Sequence, residues 1–139
     1  MAASIRVLVV DDFEPFRRFV RSTLQKNFYC RNILEAADGA EAVKLAEELK
    51  PDLVLLDIGL PILNGIEAAR RIRELSPKSK ILFVSENRSP DIREAALITG
   101  EGYVVKADAA SELVGAVNAV LRHEKPTGAG QDFTETSDG

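Results

Sequence analysis

Residues that can take part in phosphoryl chemistry stand at the ends of four short apolar runs in this 139-residue chain. Asp11 and Asp12 follow the first run, Asp57 the third and Lys106 the fifth, while Ser85 ends the fourth. A carboxylate can attack phosphorus or bind a hard cation, and an ammonium or hydroxyl can hold phosphoryl oxygens. These residue types indicate phosphoryl transfer, provided that the fold brings them together.

The runs that precede these residues predict the strands of a parallel sheet. Several are continuously apolar, as strands are when helices cover both faces of the sheet. The five predicted strands are Ile5 to Val10, Arg31 to Leu34, Leu53 to Leu56, Ile81 to Val84 and Gly102 to Val105.

The segments between the runs predict helices. Gly100 is expected to end the fourth helix by taking a positive φ. In the fifth, apolar residues recur with helical spacing from Leu113 to Leu121. Signals for the start of a helix are Pro15, the capping-box pairs Asp38 with Glu41 and Asn64 with Glu67, and Ser89 with Pro90.

Five strands alternating with five helices predict an α/β fold. We expect a doubly wound, flavodoxin-like three-layer sandwich with a five-stranded parallel sheet in the order 2-1-3-4-5. In such sheets ligands bind beyond the carboxyl ends of the strands. Asp57 would lie between its neighbours there, and the long stem of Lys106 would let its ammonium reach the same point.

Three neighbouring carboxylates predict a metal site. Asp11, Asp12 and Asp57 would repel one another if all were ionised, and a bound cation relieves that repulsion. Mg²⁺ (or Mn²⁺) is usually held by one or two carboxylates with waters and phosphate oxygens. It would also neutralise charge on a phosphoryl group that arrives at Asp57 to form an aspartyl phosphate.

Length and charge limit the class of protein. With 18 Lys and Arg against 22 Asp and Glu, the net charge of -4 argues against a nucleic-acid-binding surface. No secretory signal or membrane helix is evident, and the single cysteine, Cys30, fits a reducing cytoplasm. We expect one folded domain over residues 1–123 and a disordered tail, or the start of a linker, over residues 124–139.

The sequence resembles the receiver domains of two-component response regulators. The resemblance lies in VLVVDDF (7–13), PDLVLLDIGLPILNGIEAARRIRE (51–74), Ser85 and GYVVKADA (102–109). It implies that Asp57 is the phosphoacceptor, that Asp12 binds the metal directly and Asp11 through water, and that the Gly59 carbonyl completes the metal site. It further implies that Ser85 and Lys106 bind the phosphoryl group and that Ser85 and Tyr103 form a switch pair.

The resemblance also implies partners. The phosphodonor would be a sensor histidine kinase or a histidine phosphotransfer protein, and a homodimer could form through the fourth helix, fifth strand and fifth helix. The ending at Lys106 to Ala109 is similar to receivers of the LuxR/NarL type, which a helix-turn-helix DNA-binding domain usually follows. Because the sequence contains no such domain, we expect a free-standing receiver or a chain that ends in a linker.

Three positions depart from the commonest family pattern. Ala107 follows Lys106 where many receivers have proline, with a cis bond that would cost about 2.5–4 kcal/mol before alanine. Glu86 places a negative charge beside Ser85, and Gly59 has no side chain where one often influences the lifetime of the phosphoryl group. Glu86 and Gly59 are therefore candidate modulators.

Other interpretations stay open. The chain could be a receiver-like interaction module that binds partners without phosphorylation, or an Mg²⁺-dependent phosphatase, although such phosphatases have Asp-x-Asp after the first strand. Arg17, Arg18 and Arg21 could dock a phosphodonor or form a solvated basic face. His123 is expected to complement the dipole of the last helix, and Cys30 to be a small core residue.

Overall fold

The protein was analysed as a computed structural model, which describes residues 4–122. Its five strands are β1 (Ile5–Val10), β2 (Cys30–Ala36), β3 (Leu53–Leu56), β4 (Lys80–Ser85) and β5 (Gly102–Val105). Its five α-helices are α1 (Glu14–Asn27), α2 (Gly39–Leu49), α3 (Gly65–Leu75), α4 (Pro90–Thr99) and α5 (Ala109–Arg122), the last preceded by a 3₁₀ turn at Lys106–Asp108. The predicted tail and His123 lie outside the described residues.

All five strands are parallel, in the order β2-β1-β3-β4-β5. The predicted doubly wound topology is therefore confirmed. β1, β3 and β4 occupy the centre of the sheet, and their runs are almost wholly buried. Continuous apolar sequence was the correct signal for these strands, because helices cover both of their faces.

Alternate residues of each strand enter two separate cores, which makes the sandwich three layers thick. Leu8, Val54 and Phe83 pack on the side that holds α2, α3 and α4. Val7 and Leu55 pack on the other side, against buried residues of α1 and α5. The two cores fix the sheet from both faces, so the ends of its strands are rigid supports for the residues that follow them.

Side-chain caps begin three of the helices at the predicted residues. Asp38 accepts from the Glu41 N–H at 2.7 Å, Asn64 from the Glu67 N–H at 3.0 Å, and Ser89 from the Ile92 N–H at 3.4 Å. In neither glutamate pair does the glutamate carboxylate accept from the backbone N–H of the capping residue, as it would in a full capping box. The Glu41 carboxylate accepts from the Ala37 N–H instead, and the Glu67 carboxylate pairs with Arg70 and Arg71.

The predicted positive φ of Gly100 is wrong. Gly100 does cap α4, but with a φ of -93° and a ψ of 168°, which any residue can adopt. A Cβ at this position would lie 2.6 Å from the Phe83 ring and 3.2 Å from the Ile81 carbonyl. Glycine is required here by close packing against β4.

Cys30 begins β2 and packs beside the α1 core as predicted for a small apolar residue. Its thiol is partly buried and lies 3.9 Å from the Leu24 carbonyl. Burial raises the pKa of the Cys30 thiol above its usual range. A thiol with a raised pKa is a poor nucleophile at neutral pH, which agrees with a structural role.

Candidate functional site

The sheet register places the ends of β1 and β3 side by side. Val10, the last residue of β1, is the partner of Leu56, the last residue of β3. The Asp57 N–H donates to the Val10 carbonyl at 3.0 Å, and the Asp11 N–H donates to the Ala36 carbonyl at 3.1 Å. Asp11 and Asp57 therefore leave the sheet at the same level.

Three carboxylates converge at this edge of the sheet. One oxygen from each of Asp11, Asp12 and Asp57 lies within 4.8 Å of the other two, a grouping of potential metal ligands that is unique within residues 4–122. Asp11 and Asp57 are buried, whereas Asp12 is exposed. Asp11 Oδ1 accepts from the Phe13 N–H at 2.9 Å. Asp12 makes no side-chain hydrogen bond or ion pair within the described part of the chain, so its carboxylate is available to a ligand.

Lys106 provides the positive charge of the cluster. Its Nζ lies 2.6 Å from Asp11 Oδ2 and 3.3 Å from Asp57 Oδ2, and 4.8 Å from the centre of the Phe16 ring. Burial opposes its charged form, but the hydrogen bond to Asp11 and the charges of Asp57 and Asp11 outweigh burial and raise the pKa of Lys106. Lys106 is therefore a cation at neutral pH, and its long stem reaches the acidic residues as the sequence predicts.

Asp57 is held in an environment that disfavours its charge. Burial raises the pKa of the Asp57 carboxyl, and the neighbouring charge of Asp11 raises it further. Lys106 and a backbone hydrogen bond from Gly59 lower it in part, without reversing the direction. A carboxylate in this setting gains from a cation beside it.

An open cleft of about 620 Å³ gives access to this cluster. Both Asp57 and the exposed Asp12 line it, together with Lys106 and the end of β4. The remaining lining residues are Phe13, Ile58, Gly59, Ser85, Glu86 and Asn87. The cleft thus gathers most of the sequence-predicted site residues around one space. Asp11 and Tyr103 do not line it, and Tyr103 is linked to it through Asn87.

Asn87 links Ser85 to Tyr103. The Asn87 N–H donates to Ser85 Oγ at 3.2 Å, and its carbonyl accepts from the Tyr103 hydroxyl at 2.8 Å. The Tyr103 ring is buried, with Phe83 at a centroid distance of 6.4 Å and the Arg93 guanidinium 5.6 Å from its centre. Movement of the Ser85 hydroxyl toward the cleft would break its hydrogen bond with the Asn87 N–H. The switch role of Ser85 and Tyr103 remains a prediction.

Two glycines after Asp57, Gly59 in the loop and Gly65 at the start of α3, differ in the space around them. A Cβ on Gly65 would lie 2.0 Å from the Asp57 carbonyl, so the start of α3 can approach β3 this closely only without a side chain. A Cβ on Gly59 would meet nothing within 4 Å. Gly59 therefore leaves the cleft wide beside Asp57.

The segment after Lys106 needs no special peptide geometry. No peptide bond within residues 4–122 is cis, so the bond between Lys106 and Ala107 is trans. The chain turns through the 3₁₀ segment directly into α5.

The basic face of α1 is only partly free for docking. Arg17 Nε lies 2.7 Å from Glu35 Oε1, and Arg21 Nε lies 2.9 Å from Glu35 Oε2. The hydrogen bond from Arg17 is the main reason that the pKa of Glu35 is lowered. Arg18 alone of the three arginines is exposed without an ion pair to a described residue. Two of the three arginines therefore tie α1 to β2 through Glu35.

Sequence reasoning missed what three residues do at the site, since it considered Arg17 only as part of a basic face. These are Asn87, which acts through its backbone, Phe16, whose ring lies beside the Lys106 ammonium, and Arg17, whose Nη1 donates to the Asp11 carbonyl at 2.7 Å. Phe16 and Arg17 stand in the first turn of α1, which begins two residues after the acidic pair. Their position next to the acidic pair could have indicated a role at the site, whereas no feature of the sequence indicates the backbone role of Asn87.

Comparison with known proteins identifies the family. The profile described as response regulator receiver domain matches residues 7–118. The chain belongs to the family of response regulator receiver domains. The matched range contains all the predicted site residues of this receiver domain.

Named relatives and a solved structure agree with this assignment. The receiver is 38% identical over 120 residues to protein CcdB of Bacillus subtilis, covering 85% of this chain and 98% of CcdB. It is 35% identical over 131 residues to response regulator MprA of Mycobacterium bovis, covering 94% of this chain and 56% of MprA. It therefore spans little more than half the length of MprA.

The structural comparison points to the predicted subgroup. The signal receiver domain of NarL from Mycobacterium tuberculosis superposes with a TM-score of 0.81 and 31% identity, covering 88% of this chain and all of that chain (100%). The similarity to receivers of the NarL type is thus confirmed.

As a receiver domain, the chain is a module of two-component phosphorylation signalling. Within the described residues, no helix has the length and apolar character needed to cross a membrane.

Proposed function

We propose that Asp57 accepts a phosphoryl group from a phosphohistidine of a sensor histidine kinase or a histidine phosphotransfer protein. One observation carries the proposal: the Asp57 carboxylate lies at an open cleft with two other carboxylates and a lysine ammonium around it. A family assignment alone would leave this chain free to be a binding module that is never phosphorylated. Such a module has no need of a buried, mutually repelling acidic cluster.

The transfer is a nucleophilic substitution at phosphorus. An Asp57 carboxylate oxygen forms the new P–O bond while the bond between phosphorus and the imidazole nitrogen breaks, and that nitrogen keeps the electron pair. The Asp57 backbone is fixed by its bond to Val10, so only the donor must be positioned. The width of the cleft lets a partner's histidine approach from solvent.

The residues around Asp57 fit a divalent cation. Asp12, Asp57 and the Gly59 carbonyl would hold Mg²⁺ or Mn²⁺, with Asp11 acting through water, and this all-oxygen set is the one these ions prefer. The bound ion supplies charge neutralisation for the phosphoryl oxygens. The raised pKa of Asp57 and the unpaired Asp12 carboxylate both favour a cation at this place.

Lys106 and Ser85 would hold the phosphoryl group once it is on Asp57. The Lys106 ammonium already lies 3.3 Å from the Asp57 carboxylate and needs only a small shift. Ser85 Oγ would donate to a phosphoryl oxygen and in doing so give up its bond with the Asn87 N–H. That exchange would pass the signal to Tyr103 through the Asn87 carbonyl.

The signal would be read on the face of α4, β5 and α5. α4 carries two exposed apolar side chains, Leu97 and Ile98, the latter 77% exposed. A homodimer through this face would cover them. We also infer a cytoplasmic location, a folded receiver over residues 1–123 and no nucleic-acid contact by this chain itself.

Intact mass separates the proposal from its rivals. The native chain is incubated with acetyl phosphate and Mg²⁺, and hydrolysis of a small phosphomonoester is followed in parallel. We expect one phosphoryl adduct and no sustained turnover. Absence of any adduct would favour a constitutive interaction module, and phosphomonoester turnover that survives Asp57→Asn would favour a phosphatase.

A further inference from the structure

We propose that Arg17 is a positioning residue for the metal site, and that it sets the affinity of the acidic cluster for a divalent cation. The inference deepens the proposed function, because it concerns the same carboxylates, and it rests on that function for the presence of the cation. Arg17 is six residues beyond Asp11, on the face of α1 that packs against β2. It is partly buried, with a side chain 16% exposed.

Arg17 fixes the peptide that joins the two aspartates. Its Nη1 donates to the Asp11 carbonyl at 2.7 Å, and its Nε is held by Glu35 Oε1 at 2.7 Å. A guanidinium presents its donors in a rigid fork, so the two bonds together define where the carbonyl lies. The contact restricts the orientation of the Asp11–Asp12 peptide, from which the Asp12 side chain extends.

The Asp12 carboxylate is held only through the backbone on either side of it. It makes no side-chain bond within the described residues, whereas the two oxygens of Asp11 contact the Phe13 N–H and the Lys106 ammonium. A ligand that is held only through its backbone loses its orientation when that backbone is released. Partners that orient metal ligands typically change metal affinity about 10- to 100-fold when they are removed.

Charge alone would have the opposite effect. The Arg17 guanidinium is a cation close to a cation site, so its removal reduces repulsion and should tighten metal binding if only electrostatics mattered. Loss of positioning should weaken metal binding. The sign of the change therefore distinguishes the two effects.

Arg21 provides a matched control. It stands one helical turn further along α1 and pairs with the same Glu35 carboxylate, at 2.9 Å. Its Nη2 donates to the Ile33 carbonyl at 2.6 Å, in β2 and away from the acidic pair. Arg21→Gln therefore removes the same charge and one bond to Glu35 while leaving the Asp11 carbonyl held.

The experiment measures Mn²⁺ binding from the free-ion electron paramagnetic resonance signal, with no phosphodonor present. Glutamine keeps most of the arginine stem, and circular dichroism with urea unfolding establishes that each variant is folded. We expect Arg17→Gln to weaken Mn²⁺ binding about tenfold, and Arg21→Gln to stay within about twofold of the native chain. Arg17→Ala should weaken binding at least as much as Arg17→Gln.

A second readout separates affinity from chemistry. In Arg17→Gln the Mg²⁺ concentration for half-maximal adduct formation with acetyl phosphate should rise, while the rate at saturating Mg²⁺ stays near that of the native chain. Unchanged or tighter Mn²⁺ binding in Arg17→Gln, equal weakening in Arg21→Gln, or no Mn²⁺ binding by the native chain would overturn the proposal. A native chain that binds Mn²⁺ but accepts no phosphoryl group would instead refute the proposed function alone.

Discussion

The Tyr103 hydroxyl donates to the backbone carbonyl of Asn87 at 2.8 Å, and Asn87 in turn donates its N–H to Ser85 Oγ. A cleft residue and a core aromatic ring are thus joined through a single loop residue. The proposed phosphoryl site and the face formed by α4, β5 and α5 therefore have a direct physical connection. This connection gives the proposed switch a measurable consequence at one ring.

Tyr103 can be observed alone by its fluorescence. The chain has two tyrosines and no tryptophan, so Tyr29→Phe, at an exposed position, leaves Tyr103 as the single reporter. We expect beryllofluoride with Mg²⁺, a mimic of the phosphoryl group, to change its emission, and Ser85→Ala to abolish most of that change. Ser111→Ala, on the exposed first turn of α5, should respond as the parent does. A full response in Ser85→Ala would contradict the Asn87 connection.

Asp57→Asn should stabilise the metal-free fold at neutral pH. The pKa of Asp57 is raised in the fold above the unfolded value of about 3.9. Above the folded pKa the native state bears the cost of a buried charge, and below the unfolded value both states are protonated and the cost disappears. The increase in the free energy of unfolding caused by Asp57→Asn should therefore be greatest at pH 7 with a chelator present. It should shrink as the pH falls toward about 4.

Urea unfolding with and without Mg²⁺ checks this expectation. Mg²⁺ should narrow the difference in unfolding free energy between the native protein and Asp57→Asn. The native protein offers the cation three carboxylates and the variant only two, so the cation stabilises the native protein more. Asp91→Asn, at an exposed position in the first turn of α4, provides the control and should show no stabilisation. A native chain as stable as Asp57→Asn at pH 7 in chelator would disprove the electrostatic account of this site.

Glu86 lines the cleft and carries an exposed negative charge. We expect Glu86→Ala to accelerate adduct formation with acetyl phosphate, since the donor is an anion. The acceleration should be clear near 0.01 M ionic strength and nearly vanish at about 1 M, where the screening length falls to about 3 Å. Glu94→Ala, on α4 outside the cleft, should leave the rate unchanged. Equal rates for native and Glu86→Ala protein at low salt would exclude this role.

Gly100→Ala should destabilise the protein by about 1–3 kcal/mol, because the added Cβ meets the Phe83 ring and the packed core must shift. Gly115→Ala is the matched substitution, since a Cβ there meets nothing within 4 Å on an exposed turn of α5. It should stabilise by about 0.4–1 kcal/mol by restricting the unfolded chain. Urea unfolding midpoints measure the stability change of both variants. A Gly100→Ala protein as stable as the native chain would show that Gly100 is not closely packed against Phe83.

The sequence was sufficient for the strand order and for predicting that Asp57, Ser85 and Lys106 lie together at one end of the sheet. Apolar runs marked β1, β3 and β5 to the residue and β4 to within one residue at each end, because the buried strands of a parallel sheet have a continuous apolar signal. β2 was predicted too short at both ends, without Cys30, Glu35 and Ala36, because its apolar run is short and its boundaries are set by pairing with β1. Pairing of that kind is a tertiary property that local pattern does not contain.

The contacts that tie distant segments together were beyond sequence reasoning. Arg73 reaches from α3 to the Thr99 carbonyl and to Glu101, a carboxylate whose side chain is only 1% exposed. Ile62 and Lys50 have positive φ values of 71° and 48°, where glycine or asparagine would be the usual signal. In each case the surrounding fold imposes the contact or the backbone conformation, and the local residue types do not predict it.

Phosphorylation of Asp57 is tested most directly by locating the phosphoryl group after reaction with acetyl phosphate and Mg²⁺. Intact and peptide mass spectrometry are applied to native protein, to Asp57→Asn and to Asp91→Asn. We expect one adduct on the native chain and on Asp91→Asn, located at Asp57, and none on Asp57→Asn. An adduct of equal yield on Asp57→Asn, or no adduct on the native chain at saturating Mg²⁺, would contradict it.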